Sequence, residues 1–128
     1  MVYSYESLLA EFEEKLDISE ECDMFCEGLY ADGCIWIKRE LPGDKKVSIL
    51  AEEIGHHETT VGDILDQRKI DNQKQELKAR KWAYNKLAPF DAVLDAAAAG
   101  CRRVYEFAEY FGVDEQFMAD CLKCYGLL

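Results

Sequence analysis

The sequence predicts an α+β fold that is mostly helical, with a small antiparallel β-hairpin or three-stranded sheet. Apolar residues recur at steps of three and four along most of the chain, which is typical of amphipathic helices. One segment near residue 30 is instead rich in aromatic and β-branched residues on both sides of a turn sequence. The chain has 128 residues, 49% of them hydrophobic, so we expect a single domain over residues 1–128 with a sizeable core.

The first predicted element is an amphipathic helix over residues 5–16. Its apolar side chains share one face, and its other face is rich in glutamate. The apolar positions are Leu8, Leu9, Phe12 and Leu16. Residues 18–26 show no clear pattern, and we assign no element to them.

A β-hairpin is predicted over residues 28–38. Its second strand contains Ile35, Trp36 and Ile37, which are residue types that favour strands. The dipeptide Asp32-Gly33 suits the two-residue turn that joins antiparallel strands. Pro42 and Gly43 then break the second strand.

A central helix follows the hairpin. Asp44 is placed to cap its start, and the helix should end near His57. Its core-facing positions are Val47, Leu50, Ala51 and Ile54. Residues 58–62 are polar, and we expect them to be flexible.

A long helix is predicted next, from about Ile64 or Ile70 to Leu87, because Pro89 stops it. The stripe on its inner face comprises Asn72, Glu76, Ala79, Ala83 and Leu87. Residues 91–128 then predict two or three further helices. Gly100 and Gly112 break the pattern there, and Asp114 is placed to cap the last helix.

Charge and hydropathy narrow the classes of function. The chain has 26 acidic and 15 basic residues and a formal net charge of −11, which disfavours contact with nucleic acid or anionic membranes. Residues 104–122 have the spacing of a helix-turn-helix, but their exposed face is acidic, so we expect them to pack rather than to bind DNA. With no apolar run of about 18 residues and no apolar signal segment, we expect a cytoplasmic protein.

The six cysteines are expected to be reduced and mostly buried, because a disulfide framework needs an oxidising compartment. Cys22 with Cys26 and Cys121 with Cys124 have spacings that four-thiolate zinc sites use. Neither pair lies on a glycine-rich knuckle. The alternative is that the cysteines act as small apolar side chains on helices.

The segment from residue 49 to residue 60 carries the candidate chemistry. Glu52 and His56 stand four residues apart, so they share one helical face and could hold one metal ion. Glu53 lies at the flank of that face, where a general base could take a proton from attacking water. This is the arrangement of the H-E-x-x-H helix, written here Glu-Glu-Ile-Gly-His. Two other interpretations are a simple i,i+4 pair worth about 0.3 kcal/mol and a ligand pair of Glu53 with His57.

Together with a second motif, Glu76-Leu-Lys-Ala-Arg-Lys-Trp-Ala, this segment resembles the ImmA/IrrE metallo-endopeptidases of bacteria, phages and mobile elements. The pattern of that family is H-E-[LI]-G-H followed by E-x-x-A-x-x-[FW]-A. The resemblance implies a zincin-like domain in which the hairpin lies beside the metal-site helix. It also implies His56 and Glu76 as metal ligands and Glu53 as the general base, with Glu52 in the place of the family's first histidine ligand.

Glu52 makes the expected ligand set two carboxylates and one imidazole. We expect zinc as the cofactor, with manganese as the alternative because carboxylates favour harder ions. Without metal, Glu52, Glu53 and Glu76 would crowd together, which should raise at least one pKa and destabilise the fold at neutral pH.

Two functions are compatible with these motifs. The first is a metal-dependent endopeptidase, for which the resemblance implies a protein substrate such as a helix-turn-helix repressor encoded nearby. The alternative is a weakened or inactive family member that serves as a protein-interaction module in phage or mobile-element regulation.

Overall fold

The computed structural model describes residues 2–60 and 72–128. Over these residues it contains six helices and three strands, which confirms the predicted α+β class. The elements in chain order are α1 (Tyr5–Phe12), β1 (Asp17–Glu21), β2 (Gly28–Ala31), β3 (Cys34–Lys38), α2 (Gly43–Thr60), α3 (Asn72–Leu87), α4 (Phe90–Ala98), α5 (Val104–Phe111) and α6 (Glu115–Cys124).

The sheet has the order β1-β3-β2 and is mixed rather than purely antiparallel. Strands β2 and β3 form the predicted hairpin, and Asp32 and Gly33 make its turn with positive φ angles of 48° and 84°. Strand β1, which the sequence did not predict, pairs in parallel with β3. Its sequence, Asp-Ile-Ser-Glu-Glu, has a single apolar residue, so the alternation that identifies a strand is missing. Strand β2 therefore lies at one edge of the sheet.

Helix α1 is shorter than predicted. It begins after Ser4, whose hydroxyl accepts a hydrogen bond from the backbone N–H of Ser7, and it ends at Phe12 rather than at residue 16. Leu16 is nevertheless buried in the core. The apolar spacing continued past the helix because the turn that follows also packs inward.

Helix α2 begins two residues earlier than an Asp44 cap predicts, and it ends later than predicted. The carbonyl of Pro42 accepts a hydrogen bond from the N–H of Lys46, so Asp44 lies in the first turn and not at the cap. The helix continues to Thr60, so the prediction of a flexible segment is wrong for residues 58–60, and residues 61–62 lie outside the described part. Helix α3 ends at Leu87 as predicted. Its two predicted starts, at residues 64 and 70, lie outside the described residues.

Helices α2 and α3 pack unusually closely. A Cβ atom built on Gly55 would lie 2.4 Å from the carbonyl oxygen of Ala79. Ala51, Ala79 and Ala83 are fully buried. Small residues at this interface therefore let the two backbones approach, and this approach positions the site described below.

Helices α4, α5 and α6 follow α3, in agreement with the prediction of two or three helices over residues 91–128. Gly112 ends α5 in the left-handed conformation, with φ 70°, and the carboxylate of Asp114 caps α6 by accepting a hydrogen bond from the N–H of Phe117. The buried side chains of α5 and α6 include Phe107, Phe111, Phe117 and Met118. No helix in the two described ranges is long and apolar enough to cross a membrane.

The six cysteines are free. The expectation that they are mostly buried on helices is wrong, because only Cys121 is buried and only Cys121 and Cys124 lie on a helix. Cys34 lies on β3, and Cys22 is exposed. The described residues contain no group of three or more cysteine, histidine or acidic side chains placed to hold one metal ion, so they show no four-thiolate site.

Candidate metal centre

The centre of the candidate site is a contact between two helices. His56 of α2 and Glu76 of α3 place their Nε2 and Oε1 atoms 3.1 Å apart. The side chain of His56 is 18% exposed, and that of Glu76 is 50% exposed. The prediction of Glu76 on a buried stripe is therefore wrong, although Ala79, Ala83 and Leu87 of that stripe are buried. The side chain of Asn72 lies outside the described part.

The packing of α2 against α3 explains why these two side chains meet. Gly55 lies against Ala79, and the next residue, His56, lies against Glu76 three positions earlier on α3. The position on α3 thus falls as the position on α2 rises, so the helices run antiparallel. Any larger residue at position 55 would clash with the backbone of α3 and separate the two ligand candidates.

Glu53 lies in a cleft of about 370 Å³ that is also lined by His56 and Glu76, the two residues in contact. The cleft is lined by Gly28, Leu29, Tyr30, Glu53, His56, Gln75 and Glu76. Gly28 makes room for the glutamate, since a Cβ atom there would lie 3.2 Å from Cγ of Glu53 and 2.4 Å from Cγ2 of Ile49. Burial, with smaller contributions from the nearby Glu52 and Glu76 carboxylates, raises the pKa of Glu53 to about 7.

Glu52 does not line this cleft. Burial raises the pKa of its carboxyl group to about 7, against the attraction of Arg80 and Lys45, and the acidic groups of Asp114 and Glu76 raise it further. The prediction that at least one carboxyl pKa is raised is confirmed for both Glu52 and Glu53. The main physical cause is burial rather than crowding.

His57 faces the hairpin instead of α3. The hydroxyl oxygen of Tyr30 lies 2.8 Å from Nδ1 of His57 and also accepts a hydrogen bond of 3.3 Å from the N–H of Gly33. This contact favours His56 over His57 as the residue that turns toward Glu76. Sequence reasoning missed Tyr30 and Gly28 as cleft residues, because strand periodicity does not show which residues of a hairpin face a distant helix.

The donor atoms at the contact fit a divalent cation. Imidazole nitrogen and carboxylate oxygen are both zinc ligands, and two such atoms about 2.0–2.1 Å from a tetrahedral ion lie about 3.3 Å apart. The observed separation of 3.1 Å is close to that value. Over residues 2–60 and 72–128, however, no third histidine, cysteine or acidic side chain joins the pair at ligand distance. Glu52 as the third ligand stays a prediction.

Comparison with known proteins gives one positive result. The model of the IrrE N-terminal-like domain, which defines peptidase family M78, matches residues 5–123. Neither a curated protein nor a solved structure matches the chain. The match covers both motifs and nearly the whole chain, and it supports a metallopeptidase-type function. The chain therefore belongs to the IrrE N-terminal-like, or peptidase M78, family, as its two motifs indicated.

Proposed function

We propose that this protein is a metal-dependent endopeptidase whose ion is held by His56 and Glu76, with Glu52 as the third ligand. The observation that carries the proposal is the 3.1 Å separation of His56 Nε2 and Glu76 Oε1 across two closely packed helices. Zinc is the proposed ion, and manganese is the alternative because two of the three ligands are carboxylates.

The bound ion would supply Lewis-acid polarisation of a peptide carbonyl. Glu53 lies beside the ligand pair and acts as the general base, which takes a proton from the attacking water and later gives it to the leaving amine. Burial raises the pKa of Glu53 to about 7 in the metal-free protein, and the positive charge of a bound ion would lower it, which favours the carboxylate form that accepts the proton. Gly28 leaves the space that Glu53 occupies at the cleft wall, because any Cβ atom there would crowd it.

The proposed substrate is a regulatory protein, such as a helix-turn-helix repressor. The resemblance to ImmA/IrrE endopeptidases supports this class of substrate. The net charge of −11 also supports it, because DNA-binding proteins carry basic surfaces that an acidic protein attracts.

A cleavage experiment with Glu53→Gln tests the enzyme proposal. The proteins encoded by the genes that flank this one are incubated with the zinc-loaded protein, and the products are identified by mass spectrometry. We expect wild type to cleave one of them and Glu53→Gln to cleave it at least about 100-fold more slowly, since a general base contributes 10²–10⁴-fold. Glu58→Gln, which removes an exposed carboxylate from the same helix, serves as the matched control. Equal rates for Glu53→Gln and wild type would contradict the role of Glu53.

One observation favours a second function, that of a protein-interaction module. Glu52 occupies the position of a histidine ligand in the family pattern, yet it does not line the cleft. A site weakened in this way would still leave the fold able to bind a partner. In the same experiment, wild type and Glu53→Gln would then bind a flanking-gene protein equally, and neither would cleave it.

A further inference from the structure

We propose that Arg80 is a built-in counter-cation of Glu52, which competes with the metal ion for this carboxylate and thereby lowers the metal affinity of the site. This inference rests on the proposed metal site and concerns a residue at an unspecified position of the second motif. It follows from the register of α2 against α3 and from the charges that surround Glu52.

The register places Glu52 opposite Arg80. His56 meets Glu76 across the two antiparallel helices. Glu52 lies four residues before His56, and Arg80 lies four residues after Glu76, so each is one helical turn away on the same face of its own helix. Because the helices are antiparallel, both turns lead in the same direction along the interface. Glu52 and Arg80 therefore occupy facing positions one turn further along the interface, beside the contact that would hold the ion.

The charges around Glu52 agree with this placement. Two cations, Arg80 and Lys45, act on its carboxylate, and two acidic groups, Asp114 and Glu76, oppose them. Arg80 is the stronger of the two cations.

Lys45 is already shared between two other carboxylates. Its Nζ atom lies 3.6 Å from Asp114 Oδ2 and 3.8 Å from Glu27 Oε1. The ion pairs formed within the described ranges do not include Arg80. Its guanidinium group is thus the cation best able to turn toward Glu52.

Competition follows from the chemistry of the two cations. An arginine side chain stays protonated at every pH at which the protein folds, so Arg80 acts on Glu52 whether or not metal is present. A divalent ion that binds Glu52 must displace this interaction and also approach a like charge. Replacing Arg80 by an uncharged residue of similar length removes both effects and should tighten metal binding.

The test is a set of zinc titrations against a chromophoric chelator, with Zn²⁺ as the probe. The proteins are wild type, Arg80→Met, Lys81→Met, Glu52→Gln, the first two substitutions in a Glu52→Gln background, and His56→Ala. Lys81 is the matched control, because it is the neighbouring exposed cation on α3 and its removal changes the net charge equally. We expect Arg80→Met to bind zinc about 10-fold more tightly than wild type and Lys81→Met to differ from wild type by less than about 3-fold.

The double variants decide whether the effect acts through Glu52. In the Glu52→Gln background, Arg80→Met should have a much smaller effect than in the wild-type background, because the carboxylate for which the two cations compete is gone and only the like-charge repulsion remains. An equal effect of Arg80→Met and Lys81→Met in the wild-type background, or an Arg80 effect of the same size with and without Glu52, would overturn the inference. If wild type binds no zinc, the inference requires that Arg80→Met does, and failure of both would overturn it.

The same titrations separate this inference from the proposed function. Zinc binding that survives His56→Ala would remove the proposed metal site itself. Zinc binding that depends on His56 but not on Arg80 would leave the site standing and remove only the counter-cation.

Discussion

At the scale of single residues, Glu52 and Glu53 depart furthest from ordinary behaviour. Each has a pKa raised to about 7, and burial is the largest cause for both. The sequence predicted raised carboxyl pKa values from the crowding of three acidic groups. It could not predict that burial dominates, because burial depends on where the hairpin and α3 lie against α2. The exposure of Glu76 was not predictable either. Other residues of its helical stripe are buried, but its own side chain is half-exposed.

Metal-free protein should lose stability as the pH rises, and Glu53→Gln should reduce that loss. The pKa of Glu53 is raised from 4.5 to about 7 in the folded chain, so the folded state binds more protons than the unfolded state between these pH values. The contribution of Glu53 to stability is thus complete below about pH 4.5 and declines up to about pH 7. Glu53→Gln should recover about 2 kcal/mol at pH 8 relative to pH 5.

Urea unfolding in EDTA at pH 5 and pH 8 measures this difference. Glu58→Gln, an exposed position on the same helix, should change with pH as wild type does. A pH dependence of Glu53→Gln equal to that of wild type would show that Glu53 is not buried in the folded state.

At the scale of elements, the interface of α2 and α3 determines whether a site exists. Apolar periodicity predicted the buried positions of α2, and Pro89 predicted the end of α3 at Leu87. It did not predict β1, because the pairing of that strand depends on backbone hydrogen bonds to β3 rather than on apolar side chains. The H-E-x-x-H-like spacing placed Glu52 and His56 on one face. Only the packing of the helices shows that His56, and not His57, faces Glu76.

Gly55→Ala should open this interface. The added Cβ atom would lie 2.4 Å from the carbonyl oxygen of Ala79, a distance that backbone atoms relieve only by moving apart. Alanine normally stabilises a helix by about 1 kcal/mol relative to glycine, but overpacking here should lower the free energy of unfolding by about 2–3 kcal/mol. Gly43→Ala is the matched control on the same helix, because a Cβ atom there meets nothing within 4 Å.

Urea unfolding of the two variants compares them directly. Gly43→Ala should be at least as stable as wild type. A Gly55→Ala protein as stable as Gly43→Ala would contradict the close approach of the two helices.

At the scale of the whole molecule, the family and the fold class were predictable from two short motifs and the hydrophobic periodicity, and both are confirmed. The arrangement of the cleft was not predictable, because Gly28 and Tyr30 reach Glu53 and His57 through contacts between residues about 25 positions apart. The single domain over residues 1–128 and the cytoplasmic location stay predictions. The account of function depends on whether His56 and Glu76 bind a metal ion.

Crystals grown with Zn²⁺ and measured at the zinc absorption edge test that claim most directly. The account predicts one anomalous peak between His56 Nε2 and Glu76 Oε1, about 2.0–2.2 Å from each atom, and loss of this peak in His56→Ala. A map of the wild-type protein with no peak at that position, or with its zinc bound only at cysteine side chains, would contradict it.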